Sequence, residues 1–263
     1  MTYQKHDLLL IVETYPNLSK KYDKTVCMAG IDMKSYEWMR IYPVPFFDIP
    51  VEKRPHKWER LEIFTERNLS EKLKRKESNR IDYTKIRKLG GISTKNAWSD
   101  RNNIVYKNIA PSIEFLEEAS KVDRTSLGFI KPKYITDFYV EPIANARDWE
   151  RELVEGTQKT LFNAVYRSPI EKIPYRFAYK FRCNDGCRGH DLMVEDWELF
   201  ALYRGLIKRG DDEQTAMQKC IYKYKDEFLS KKDIGFFVGT ESRWNKWLII
   251  GVYYPPKTNS IQT

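Results

Sequence analysis

The order of apolar and polar positions along the 263-residue chain reads mainly as strands. The apolar run "LLLIV" within "DLLLIVETYP" is unbroken until the segment ends at Pro16, which predicts a buried strand. Two β-rich runs follow, Thr25 to Ile31 and Trp38 to Val44, joined by the turn-forming "DMKSYE". Pro43, Pro45 and Pro50 stop further pairing, and the alternating "KWERLEIFTE" predicts a fourth strand. Ser70 to Lys88 is dense in cations and poor in apolar residues, so an exposed, partly helical connection is expected there. "GGISTKNAWSDRNN" reads as loop, and "APSIEFLEEAS" as a short helix opening at Pro111 and Ser112.

A second unit opens near Lys131. "PKYITDFYVEP" predicts a strand, and "NARDWERELVEGTQKTLF" a helix or loop broken by Gly156. "IPYRFAYKFRC" alternates strictly, with Tyr175, Phe177, Tyr179 and Phe181 on one face and Arg176, Ala178, Lys180 and Arg182 on the other. Phe177, Tyr179 and Phe181 are expected inside, with Trp197, Phe237 and Ile249. "HDLMVE" predicts a brief return strand. "DWELFALYRGLIKRG" and "DEQTAMQKCIYKYKDEFLSKK" predict an antiparallel helical pair, and "DIGFFVGT" and "KWLIIGVYYPP" two closing strands. The fold class is therefore α+β and β-rich. Two small OB-like barrels are expected, residues 1–130 and 131–263, the second with its helical pair between its third and fourth strands. One continuous mixed sheet is the competing architecture.

Composition narrows the function without choosing it. Hydrophobic residues make up 41% of the chain and charged ones 32%, as in a soluble globular protein. A net charge of +9 with 14% aromatic residues suits phosphates and stacked bases, and equally a β-rich core under a solvated surface. Four unevenly spaced cysteines are not a disulfide framework. The first apolar run is too short for a signal peptide and meets Glu13, and no stretch approaches a membrane span. A cytoplasmic location is expected.

The densest chemistry lies at "CNDGCRGH", where Cys183, Cys187 and His190 stand close enough to ligate one tetrahedral zinc ion from a hairpin tip. The fourth ligand is open among Cys220, Cys27, Asp185 and Asp191. The competing account is a turn with buried free thiols. No Glu-flanked pair of histidines is present for a catalytic zinc. Glu195 or Asp196 stands where a helix begins and is expected to cap it. Arg176, Lys180 and Arg182 project from one side of their strand at every fourth or second residue, where positions on that side recur about every 7 Å, near a single-strand phosphate repeat. Arg40 and Tyr42 form a similar pair with a stacking ring, and the basic "EKLKRKESNR" run borders them. His6 and His56 have no evident partner. Gly-rich phosphate loops, dinucleotide fingerprints and Gly-x-Ser-x-Gly elbows are absent, so no catalytic residue is assigned.

"VCMAGID" with "WMRIYPVPF", followed much later by "IPYRFAYKFRC", "DWE", "FFVGT" and "IIGVYYPP", resembles an uncharacterised family of bacterial proteins across nearly the whole chain. The first motif also resembles the dual OB-containing domain of bacterial conflict and mobile-element systems. The basic strand and composition point to nucleic-acid binding, with single strands favoured. The resemblance supplies no substrate or catalytic residue and implies only the setting, an accessory or sensor of a defence or mobile-element system. The alternatives are a metal-dependent nuclease using Asp196, Glu198 and a carboxylate such as Asp191, and a protein-interaction module whose cations serve solubility.

Overall fold

The structure is a computed structural model that describes residues 3–18, 24–67, 75–143, 173–241 and 246–257. The expected helix or loop at 145–162 and the first part of the basic run, with Lys72 and Lys74, lie outside the described residues.

Strands β1 (Gln4–Glu13), β2 (Asn17–Leu18), β3 (Lys24–Asp32), β4 (Trp38–Val44), β5 (Glu59–Arg67), β6 (Ser78–Ile81) and β7 (Arg87–Gly91) form the first unit. Five of them close a barrel in the order β1-β3-β4-β6-β5, with β5 pairing back onto β1. All contacts in the ring are antiparallel except β4 with β6, where Arg40 faces Ser78 and Ile41 faces Asn79 in parallel. Leu8, Leu10, Met28, Ile41, Leu61 and Ile63 fill the interior. Their neighbours Leu9, Ile11, Ala29 and Ile31 point the other way and are equally buried. The unbroken apolar run of β1 is thus explained: both faces of the strand are covered, as in the central strands of layered folds.

The outward residues pack on the second unit, against Leu127, Phe129, Phe237, Ile250 and Tyr253. That unit contains β8 (Ile109–Ala110), β9 (Leu127–Ile130), β10 (Tyr134–Pro142), β11 (Tyr175–Arg182), β12 (His190–Met193), β13 (Gly235–Thr240) and β14 (Trp247–Tyr253). One sheet runs β10-β11-β12 and the other β14-β13-β9-β8. A parallel bridge between Val194 and Ile249 joins β12 to β14, and Lys131 to Lys133 carry β9 directly into β10. Helices α1 (Lys95–Val105) and α2 (Ile113–Asp123) lie between the barrel and β9, while α3 (Trp197–Lys208) and α4 (Glu213–Ile221) lie between β12 and β13. Asp212 opens α4 by accepting from Thr215 N at 2.8 Å. The buried Tyr179 hydroxyl donates to Tyr224 O at 2.5 Å, tying the helical layer to β11.

Several expectations change. Ser78–Ile81 is a barrel strand rather than exposed connection, with Ser78, Asn79 and Ile81 buried. Its side chains are mostly polar, so periodicity carries no signal there; backbone pairing to β4 and β5 makes it a strand. Phe177, Tyr179, Phe181 and Ile249 share a core as expected, but it is Phe236 that joins them. Phe237 faces the junction between the units, and Trp197 packs on Phe46 of the first barrel. The stretch read as loop before Val105 holds a left-handed turn at Asn96, Ala97 and Trp98, then right-handed helix.

Candidate metal centre and basic strand

Cys183 follows β11 directly and His190 begins β12, so the hairpin between the two strands presents both side chains to the same place. Cys187 N donates to Asn184 O at 3.3 Å, closing the tip. Gly189 then takes φ +91, a left-handed conformation that costs a residue with a Cβ. The fourth member arrives from elsewhere in the chain. Ser112 caps α2 by accepting from Phe115 N at 3.2 Å, which sets the first helical turn and places Glu114 over the hairpin.

Ligand atoms of Glu114, Cys183, Cys187 and His190 all lie within 4.8 Å of one another. Cys183 is 5% exposed and Cys187 6%. Burial pushes the Cys183 thiol up to about 12. His190 Nε2 stands 3.2 Å from Glu114 Oε1, yet the two are misaligned for a hydrogen bond. Both Glu114 oxygens and His190 Nε2 are shielded from water and have no hydrogen-bond partner. Such groups are costly to bury. Two sulfurs, one imidazole and one carboxylate form a donor set suited to a tetrahedral divalent cation.

The four residues considered for the last ligand are occupied elsewhere. Cys220 is buried on α4, and Cys27 accepts from Arg40 at 3.4 Å in the first unit. Asp185 pairs with Lys133, and Asp191 accepts from Tyr139 at 2.8 Å and from Arg176 at 3.1 Å. Glu114 was invisible to spacing arguments because it precedes the hairpin by a whole strand pair; only its place in a capped first turn hints at a fixed carboxylate.

On the basic strand, Lys180 and Arg182 are exposed, and the Lys180 ammonium lies 4.9 Å from the Tyr139 ring. Arg176 is half-buried and donates to Glu141 at 2.7 Å and to the Tyr139 hydroxyl at 2.6 Å. Arg40 is not a surface cation. It is 4% exposed, and its donors go to Ser126 Oγ at 3.3 Å and Ser126 O at 2.8 Å. The second unit packs on the outward face of β3 and β4 and encloses Arg40. Tyr42 is half-buried on the same side of β4. His6 does have a partner, Asp32, at 2.8 Å.

The carboxylates weighed for nuclease chemistry do not converge. Asp196 caps α3 by accepting from Glu198 N at 3.0 Å, and its other oxygen accepts from Val252 N at 2.8 Å. Lys57 reaches this corner from the first unit, 3.1 Å from Glu198 and 3.8 Å from Asp196. Asp191 is engaged on the outer sheet face instead. Among the described residues, only the Glu114 group brings three or more such ligand atoms together.

No curated protein matches the chain. Two family models do: one described as "Domain of unknown function (DUF8758)" over residues 4–107, the other as "Domain of unknown function (DUF8757)" over residues 110–263. Their division falls at the start of β8, where the chain leaves the first barrel. The second match covers more than half of the chain, and the protein belongs to the DUF8757 family.

Proposed function

We propose that this protein binds nucleic acid, single strands in particular, through the β11–β12 face of a two-barrel body. The strand orders support an OB-like reading of both units. In the first, the third and fifth barrel strands, β4 and β6, meet in parallel. In the second, β9 with β10 acts as the first strand, followed by β11 and β12. The parallel Val194–Ile249 bridge then leads to β14, and β13 returns to β9. The helices stand between the third and fourth strands, as in OB folds, whose second and third strands form the usual oligonucleotide platform.

The observation that carries the reading is which platform is open. In the first barrel it is β3 with β4, and that face is buried against Phe237, Leu127 and Tyr253. In the second it is β11 with β12, where Lys180 and Arg182 are exposed and the Lys180 ammonium lies beside the Tyr139 ring. Zinc is the ion this reading assigns to Cys183, Cys187 and His190. The proposed setting is a bacterial defence or mobile-element system, in which the protein serves as an accessory or sensor.

Salt dependence tests the platform. Each cation that neutralises a phosphate releases condensed counterions, so Lys180→Ala and Arg182→Ala should each lower the log–log salt slope by about 0.7 on single strands. Arg176→Ala should lower it less, because Glu141 and Asp191 already balance that guanidinium. Lys53, exposed on the first unit, is the control. Equal losses at Lys53 and Lys180, or no salt-dependent binding to DNA or RNA, would remove the reading.

A further inference from the structure

We infer that Glu114 is the fourth ligand of a zinc site completed by Cys183, Cys187 and His190, and that the ion clasps the N-terminus of α2 to the β11–β12 hairpin. This rests on the zinc part of the proposed function and is independent of nucleic-acid binding.

The geometry is near to that of a bound ion. A tetrahedron with bonds of about 2.0–2.3 Å has edges of roughly 3.3–3.8 Å. The four ligand atoms lie within 4.8 Å of one another, so small side-chain rotations bring them onto its corners. Thiolate and imidazole together select a borderline-soft cation and exclude magnesium and calcium.

A plain hydrogen-bonded corner would look different. Ser112 already serves the α2 cap, so Glu114 is not needed for it. The His190 side chain is 4% exposed, and its Nε2 makes a 3.2 Å ion-pair contact with Glu114 that lacks hydrogen-bond geometry. An ion between them satisfies Nε2 and a carboxylate oxygen together and ionises both thiols, whose protons leave to solvent.

The surroundings also fit the charge. Two thiolates and a carboxylate around a divalent ion leave one net negative charge. The Arg188 guanidinium lies 3.8 Å from Glu114 and 3.0 Å from Glu117, and the amino end of α2 adds its partial positive charge. The clasp joins positions some seventy residues apart in sequence, where the tip's other ties to the α2 region are Asn184 to Pro111 O at 3.5 Å and Arg188 to Glu117 at 3.0 Å, while Asp185 ties it to Lys133.

The test uses the full chain, purified without added metal and then titrated with zinc and with cobalt(II) against a chromophoric chelator. About one ion per chain is expected, with tetrahedral cobalt d–d bands and thiolate charge-transfer bands. Glu114→Gln should lower zinc affinity by more than the roughly 10–100-fold that loss of an outer-shell partner costs. It should keep the thiolate bands while altering the d–d envelope. Glu117→Gln, which removes the Arg188 partner but no ligand, should leave the cobalt spectrum unchanged. If Glu114→Gln matches the wild type in affinity and spectrum, Glu114 is not a ligand, although a zinc hairpin survives. If the wild type takes up neither ion and chelator leaves its melting temperature unmoved, the zinc site itself is overturned.

Discussion

Replacing Arg40 with Met is expected to cost about 1.5–3 kcal/mol of stability, the range for losing buried hydrogen bonds made by a charged group. Arg40 and Glu77 meet through Ser126 rather than in a direct ion pair. Arg40 donates to Ser126 Oγ at 3.3 Å, and that hydroxyl donates to Glu77 Oε2 at 2.7 Å. Ser126 N also donates to Glu77 Oε1 at 2.9 Å. Arg40 is 4% exposed and Glu77 6%, so the loss of one charge strands the other without water. The three residues come from β4, from the segment before β6 and from the segment before β9, and thus fasten the two units together. Arg40→Met with Glu77→Met should cost less than the sum of the two single changes, because both groups act through Ser126, although the buried Ser126 and Leu127 donors still lose their Glu77 acceptor. Urea denaturation of the two single variants and the double variant measures this. An Arg40→Met protein within about 1 kcal/mol of wild type would mean the relay contributes little, and Arg40 would need another explanation.

Arg40 also marks where sequence reasoning stopped. The pattern of β4 shows that Trp38, Arg40 and Tyr42 share a side, and an arginine beside a tyrosine on a strand resembles a phosphate contact. What the pattern cannot show is that another unit covers that side. The clue lay in β1, where adjacent leucines had to be buried in opposite directions, so that something had to pack on the outside of the barrel. The inner face of β11 was legible because strict alternation fixes both faces at once: Phe177, Tyr179 and Phe181 are buried while Lys180 and Arg182 are exposed. In β13 every residue is buried, so "GFFVGT" has no polar side to orient it, and Phe236 takes the place expected of Phe237. The metal group followed the same rule. Cys183, Cys187 and His190 were readable as a local spacing, whereas Glu114 is brought to them only by tertiary packing.

Stability should fall as pH rises from about 5 to 8, and Glu13→Gln should remove a large part of the fall. Glu13 ends β1 beside the corner where Lys57 meets α3, and its Oε1 has no hydrogen-bond partner. Burial pushes Glu13 up to about 7; Lys57 opposes the shift, and the carboxylates of Glu198, Glu59 and Asp196 add to it. Burial alone would favour neutral Lys57, but Asp196 and Glu198 outweigh it and raise its pKa, so the cation stays in place across this range. A raised carboxyl pKa means that the folded chain keeps a proton the unfolded chain releases. The contribution is therefore fully favourable below the unfolded value near 4.5 and is lost as pH climbs through 7. At about 1.4 kcal/mol per unit, the difference approaches about 3 kcal/mol by pH 8. Glu195, which burial also pushes up to about 7 with Glu241 nearby, acts in the same direction. Glutamine mimics the protonated carboxyl, so Glu13→Gln should match wild type near pH 5 and exceed it by about 3 kcal/mol at pH 8. Denaturation midpoints at the two pH values and constant ionic strength decide the matter, with Glu195→Gln as the companion variant. Parallel profiles for wild type and Glu13→Gln would show that Glu13 ionises normally and that the junction tolerates its charge.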